Sequence, residues 1–313
     1  MPEIKAAENN VYIEGILSEV DLKDGTFDRT NSNGVTEKVE YTSGKIKVKT
    51  EIELYGKPYE LEIPVKIMVT KKTRKGTDNP AYTSVERLRS EFVSLAAAED
   101  PSQASLIKIG GANLAMNEYV NKQGKLSVYP EVRGSFFNHV KPEEYKPRAN
   151  FDIKMVVGSM YYEEEDGVQT GRYIVKGIVP QFGNKVDVFT FYVIKPEAIN
   201  GISQLWGEGD TVNCHGSLLF TSSTKTTVVE SAFGDPVEKT TTINLSDLVI
   251  TGGSDPFDDM QGYDSNIIAQ CLTERTARQN QLLENANKPS SKPSSKPAAT
   301  SSKPSFATFG AQF

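Results

Sequence analysis

Val186-Asp-Val-Phe-Thr-Phe-Tyr-Val-Ile194, followed after a polar connection by Trp206-Gly-Glu-Gly-Asp-Thr-Val-Asn-Cys-His-Gly-Ser-Leu-Leu-Phe220, is the stretch from which the fold is read. The first run is β-branched and aromatic, the composition of a strand. The second opens on a Gly-Glu-Gly-Asp turn, then sets Val212, Cys214 and Gly216 on one face ahead of Leu218 and Phe220. A glycine inside a strand marks a bulge or a sharp bend. Turn, short strand, glycine and second short strand is how a small barrel turns a corner. Trp206, the only tryptophan, stands beside the turn and is expected in the core.

A looser copy lies upstream, Gly124-Lys-Leu-Ser-Val-Tyr-Pro-Glu-Val-Arg-Gly134-Ser-Phe-Phe137. The pattern Gly-Asp-x-Val-x-x-x-Gly-x-Leu at 209–218 resembles the last-strand region of OB-fold single-stranded-DNA-binding proteins. That resemblance implies small β-barrels, a non-enzymatic strand-binding role and a setting in replication or recombination, of phage or plasmid type.

Working outward, Val11 to Leu22 reads as a first strand, and the polar, Gly- and Asn-containing 24–44 as a loop. Lys45 to Leu54 and Tyr59 to Val69 alternate cleanly about a Tyr-Gly-Lys-Pro turn, which predicts a long hairpin. Residues 80–99 change to a helical period, with Val85, Leu88, Phe92, Leu95 and Ala96 as the apolar stripe and Thr83 and Glu86 at capping-box spacing. A short strand at Leu106–Ile109 and the Gly124 hairpin follow. Strand, hairpin, helix, strand, strand is the order of an OB barrel. The second half is strand-rich with no obvious helix before residue 252. Tyr263 to Ala286 reads as a C-terminal helix. The expected class is therefore mainly β: an OB-like barrel with one inserted helix at 1–145, a second small β-barrel at 146–252, an acidic linker and amphipathic helix at 253–287, and a disordered tail at 288–313 rich in Ser, Lys and Pro.

The net charge of -6 excludes a uniformly basic nucleic-acid binder, so local distribution has to carry that argument. Between residues 45 and 75 nine basic residues face four acidic ones. Two cysteines are too few for a disulfide framework or a zinc knuckle. There is no apolar run of ~18 residues to span a membrane and no apolar signal segment at the start, so a cytoplasmic protein is expected, in the host cytoplasm if viral.

Enzyme signatures are missing. His139 and His215 are the only histidines, and His215 points away from its neighbour Cys214 in a strand. No catalytic residue, metal ligand or cofactor is assigned. What remains is binding: a basic groove for phosphates and rings for bases. The candidate charges are Lys45, Lys47, Lys49, Lys66, Lys71, Lys72, Arg74, Lys75 and Arg133; the candidate rings are Tyr82, Tyr129 and Phe136. The Lys71–Lys75 run stands out because it packs like charges with no acid among them. The expected ligand is single-stranded DNA, bound without strong sequence preference. Phe306, Phe309 and Phe313 at the tail tip, and Phe257 in Asp-Pro-Phe-Asp-Asp, are candidate anchors for replication or recombination proteins. Bacterial single-stranded-DNA-binding proteins likewise end in a docking tip, there an acidic one. The rival reading is a β-rich interaction or structural protein of a virion or scaffold, and a divergent nuclease stands third.

Overall fold

The computed structural model describes residues 4–30, 34–229, 237–258 and 260–287, with side chains outside 222–244. The 45–69 alternation forms as expected, within β2 (Thr36–Leu54) and β3 (Lys57–Thr70). Ile46, Val48, Ile63, Val65 and Ile67 are fully buried on its inner face. β1 (Asn9–Thr30) pairs with β2, and β3 pairs in parallel with β5 (Leu126–Arg133). β5 pairs with β4 (Leu106–Val120), which returns to β1. The strands thus close in the order 1-2-3-5-4-1, with α1 (Pro80–Glu91) between the third and fourth, which is OB topology. A short β6 (Phe136–His139) adds to the edge of β4.

The second half repeats the plan. β7 (Arg148–Glu165) pairs with β8 (Val168–Gln181), and β8 with β9 (Lys185–Val193). β9 meets β11 (Val237–Gly253) in parallel, β11 pairs with β10 (Thr211–Val229), and β10 returns to β7. The two rings are stitched by their first strands, residues 9–14 running antiparallel to 148–153. α3 (Ser265–Asn287) follows and lies on the second ring, burying Ile268 and Cys271 against Val156, Ile178 and Val186. The mainly β class and the C-terminal helix are as expected; the tail lies outside the described residues.

The glycine reading holds in detail. The β10–β11 register shifts between His215 and Gly216, and a Cβ at Gly216 would sit 2.0 Å from the Val249 carbonyl oxygen. Trp206 is buried and donates its indole N–H to the Ser254 carbonyl at 2.9 Å.

Five expectations are corrected. The 24–44 segment is an arm, not a loop: β1 and β2 stay paired from Ile16–Lys49 out to Thr30–Thr36. Its outer part projects beyond the barrel, so most of its side chains stay wet on both faces and no apolar alternation is required. The first helix stops at Glu91, because Phe92 turns extended and the amides of Leu95 and Ala96 bond to the carbonyls of Leu17 and Ser18. Its cap is Asn79, which accepts from the Ala81 amide ahead of Pro80, and not the Thr83–Glu86 box. The Leu106 strand runs on to Val120. Finally, the second ring does carry a helix, α2 (Pro196–Leu205), between its third and fourth strands. It buries only Ile199 and Ile202, and Asn200-Gly201 at its middle hides it in a propensity reading.

Candidate nucleic-acid interface

Cross-strand partners lie side by side on one face of a sheet, so register decides which of the scattered cations meet. Lys45 on β2 stands opposite Lys66 on β3, and Lys66 opposite Arg133 on β5. Three cations therefore form a rank across the outer face of the first ring. Asp21 on β1 flanks the rank beside Lys45. Arg133 is bound to Glu131 at 2.7 Å. Lys45 and Lys66 make no ion pair within 4 Å among the described residues, and both are exposed.

The neighbouring Lys47 is committed. Its Nζ lies 2.7 Å from Glu19 and 3.7 Å from Glu62. The bond to Glu19 lifts the Lys47 pKa above its usual value and lowers that of Glu19. Lys49 continues the same face, exposed.

Lys45, Lys47, Lys66 and Tyr129 line a groove of about 730 Å³ whose far wall comes from the second ring, through Phe220 and Ser246. Tyr129 is 43% exposed, accepts a 2.6 Å hydrogen bond from Asn117 and packs edge-on to Tyr119. The groove also holds Asp21, Glu62 and Glu131, which match its three lysines in number; Lys45 and Lys66 are the lysines there without an ion pair within 4 Å among the described residues.

The remaining candidates lie elsewhere. Lys71 and Lys72 belong to the turn from β3 to α1. Lys71 donates to Glu40 at 2.7 Å and Lys72 to Asp78 at 2.6 Å. Hydrogen bonding to Glu40 raises the Lys71 pKa, and Lys72 lowers that of Asp78. The acids missing from the local sequence are supplied by β2 and by Asp78 across the turn for Lys71 and Lys72, while Arg74 and Lys75 make no ion pair within 4 Å among the described residues. Arg74 and Lys75 are exposed and lie outside the groove. Tyr82 lines a separate recess with Lys71 and Tyr41. Phe136, 42% exposed, lines another against α1, while Phe137 is core. Phe257 is half-buried with the Lys154 ammonium 4.2 Å from its ring centre, so it is engaged within the chain. Phe306, Phe309 and Phe313 lie outside the described residues.

Asn117 and Phe220 were missed by sequence reasoning, which had no signal for a wall lent by the other ring. Among the described residues no group of three or more His, Cys, Asp or Glu is placed to hold a metal. No helix among them is long and apolar enough to cross a membrane.

Two OB-ordered rings in one chain, joined through their first strands around a shared groove, define a tandem OB-barrel protein. The chain belongs to the YorF family, whose family model matches residues 7–289. No curated protein matches the sequence. Among solved structures it is similar to the wild-type single-stranded DNA binding protein from Thermus aquaticus, with 9% identity, a TM-score of 0.46 and coverage of 84% of this chain and 99% of that one. A deletion mutant of the same Thermus aquaticus protein gives 11% identity, a TM-score of 0.44 and coverage of 81% and 97%.

Proposed function

We propose that the protein binds single-stranded DNA without strong sequence preference, along the groove between the rings. The observation that carries the reading is the rank Lys45–Lys66–Arg133. Like charges directly opposite on a sheet destabilise it, and here Lys45 and Lys66 are left unpaired. A phosphate backbone crossing the strands neutralises them. Tyr129 beside the rank offers a ring face, which accepts any base. Binding at the outer face of the second and third strands is also the usual use of an OB barrel. The role that follows is to cover exposed single strands during replication or recombination, without catalysis. The aromatic tip at Phe306, Phe309 and Phe313 is proposed as the contact for partner proteins, on the composition of the segment alone.

The test is a titration of labelled oligo-dT at several salt concentrations. Changing Lys45 and Lys66 together to Ala is expected to weaken binding and to flatten the salt dependence by up to about 1.4, at about 0.7 per phosphate. Thermal stability should hold or rise as the repulsion is relieved. Changing Arg74 and Lys75 is expected to have the smaller effect. Unaltered affinity and slope in the Lys45/Lys66 variant would remove the proposed site, and co-purification with one protein and no nucleic acid would favour an interaction role.

A further inference from the structure

A second groove, of about 670 Å³, opens on the outer face of the other ring and shares Pro130 and Ser246 with the first. The two are therefore continuous around the β4–β5 hairpin. Lys176 on β8 and Tyr192 on β9 line it, and Leu272 and Arg275 of α3 form part of its wall.

Lys176 is the feature that needs a partner. It is half-buried, and its Nζ donates to the Thr190 hydroxyl at 2.7 Å. No carboxylate lies within 4 Å of it among the described residues. Burial pulls its pKa below the usual lysine value, because an ammonium withdrawn from water without a counter-charge is disfavoured. The other cations of this region have carboxylate partners, although the Nε of Arg172 and of Arg275 makes no hydrogen bond among the described residues. Arg275 is hydrogen-bonded to Glu118 on β4, which also accepts from Gln279 at 2.8 Å. Arg172 lies over the Tyr192 ring at 3.7 Å and is bonded to Asp247 at 2.6 Å. Among the described residues Lys176 is the cation of the groove without a carboxylate partner, and the rest of the lining, Arg275 aside, is hydroxyls, a tyrosine and apolar side chains, which suits a phosphate with its attached base.

We propose that this second groove is a nucleotide subsite, into which the strand held on the Lys45–Lys66 rank continues, with Lys176 taking a phosphate and α3 walling the track. The proposal rests on the strand-binding reading above. It gives α3 a role of its own. The helix covers Val156, Ile178 and Val186 on the second ring, and its ties to Glu118 fix it against the hairpin that separates the grooves. The track therefore ends at the helix and does not run across the whole of the second ring.

The experiment uses the full chain and labelled oligo-dT of two lengths, about 8 and about 20 nucleotides, chosen to fill one barrel's site or to run beyond it. Lys176→Met keeps the aliphatic stem and removes the charge; since the charge is the disfavoured part, the variant is expected to fold with an unchanged or higher melting temperature. It should bind the long oligonucleotide several-fold more weakly, with a salt slope flatter by about 0.7, and the short one like wild type. The Lys45→Ala/Lys66→Ala variant should weaken both lengths. If Lys176→Met binds both lengths like wild type while the double variant is weak, the subsite is overturned and the strand-binding reading stands. If Lys176→Met weakens both lengths equally, the groove is not a continuation and the proposal fails. If the wild-type chain binds neither length, the strand-binding reading falls and the subsite with it.

Discussion

At the scale of single residues, the molecule separates charges that are settled from charges that are not, and Asp187 belongs to a third kind. Its carboxylate on β9 is half-buried, and the hydrogen bond it accepts among the described residues is a long one, 3.3 Å, from the Met116 amide. Burial raises its pKa above the ordinary 3.8, and nearby Glu118 adds to the effect. A carboxyl whose folded pKa is raised costs stability once the pH climbs past its unfolded value, and the cost is fully present above the folded one. Asp187→Asn keeps an oxygen for the Met116 amide and removes the charge. It is expected to stabilise the fold at pH 7, with the gain vanishing by about pH 3. Denaturant melts at the two pH values check this, and a variant less stable at pH 7 would show that Arg133 and Arg275 already compensate the carboxylate. Individual residues were partly legible beforehand. Lys45, Lys66, Arg133 and Tyr129 were recognisable as candidates by type. That three of them stand in one rank was not, because it depends on a register joining positions 21 and 67 residues apart.

At the scale of elements, legibility followed burial. The β2–β3 hairpin could be read because one face is core and the other water, so its alternation is written in the residue types. The outer β1–β2 arm could not, since a ribbon wet on both sides carries no such pattern. α2 was hidden by brevity and by Gly201. α3 was legible as a helix, but its seat was not. Ile268 and Cys271 fill the interface with the second ring, and burial raises the Cys271 pKa, so its thiol should be slow toward a disulfide reagent. Ile268→Asp places a charge in that interface. The expected outcome is rapid labelling of Cys271 while Cys214, enclosed in the barrel against Met155, stays protected. This is the local opening of one element without loss of the ring. Both thiols reacting together would mean that α3 is integral to the ring's stability.

At the scale of the whole molecule, the two rings are proposed as separate folding units that nonetheless stay together. The connection between β6 and β7 is anchored: the Lys146 amide donates to buried Glu14 at 2.7 Å, and Arg148 lies 3.5 Å from the same carboxylate. Limited proteolysis should first remove the segment beyond about residue 287, whose composition offers little to bury. A later nick between residues 139 and 148 should leave both rings eluting as one particle on gel filtration, held by the β1–β7 ladder. Separation into two fragments would show that the ladder and the shared groove are too weak to hold them. The same ladder sets a timetable for the newborn chain. Residues 9–14 leave the ribosome ahead of both their partners: one flank waits for β4 and the other for residues 148–153. At about 5–20 residues per second that second wait lasts roughly 7–30 s. For that interval the earliest strand presents a bare hydrogen-bonding edge, so crowding on polysomes, more than heat or denaturant, is the condition under which neighbouring copies are most exposed to pairing with one another.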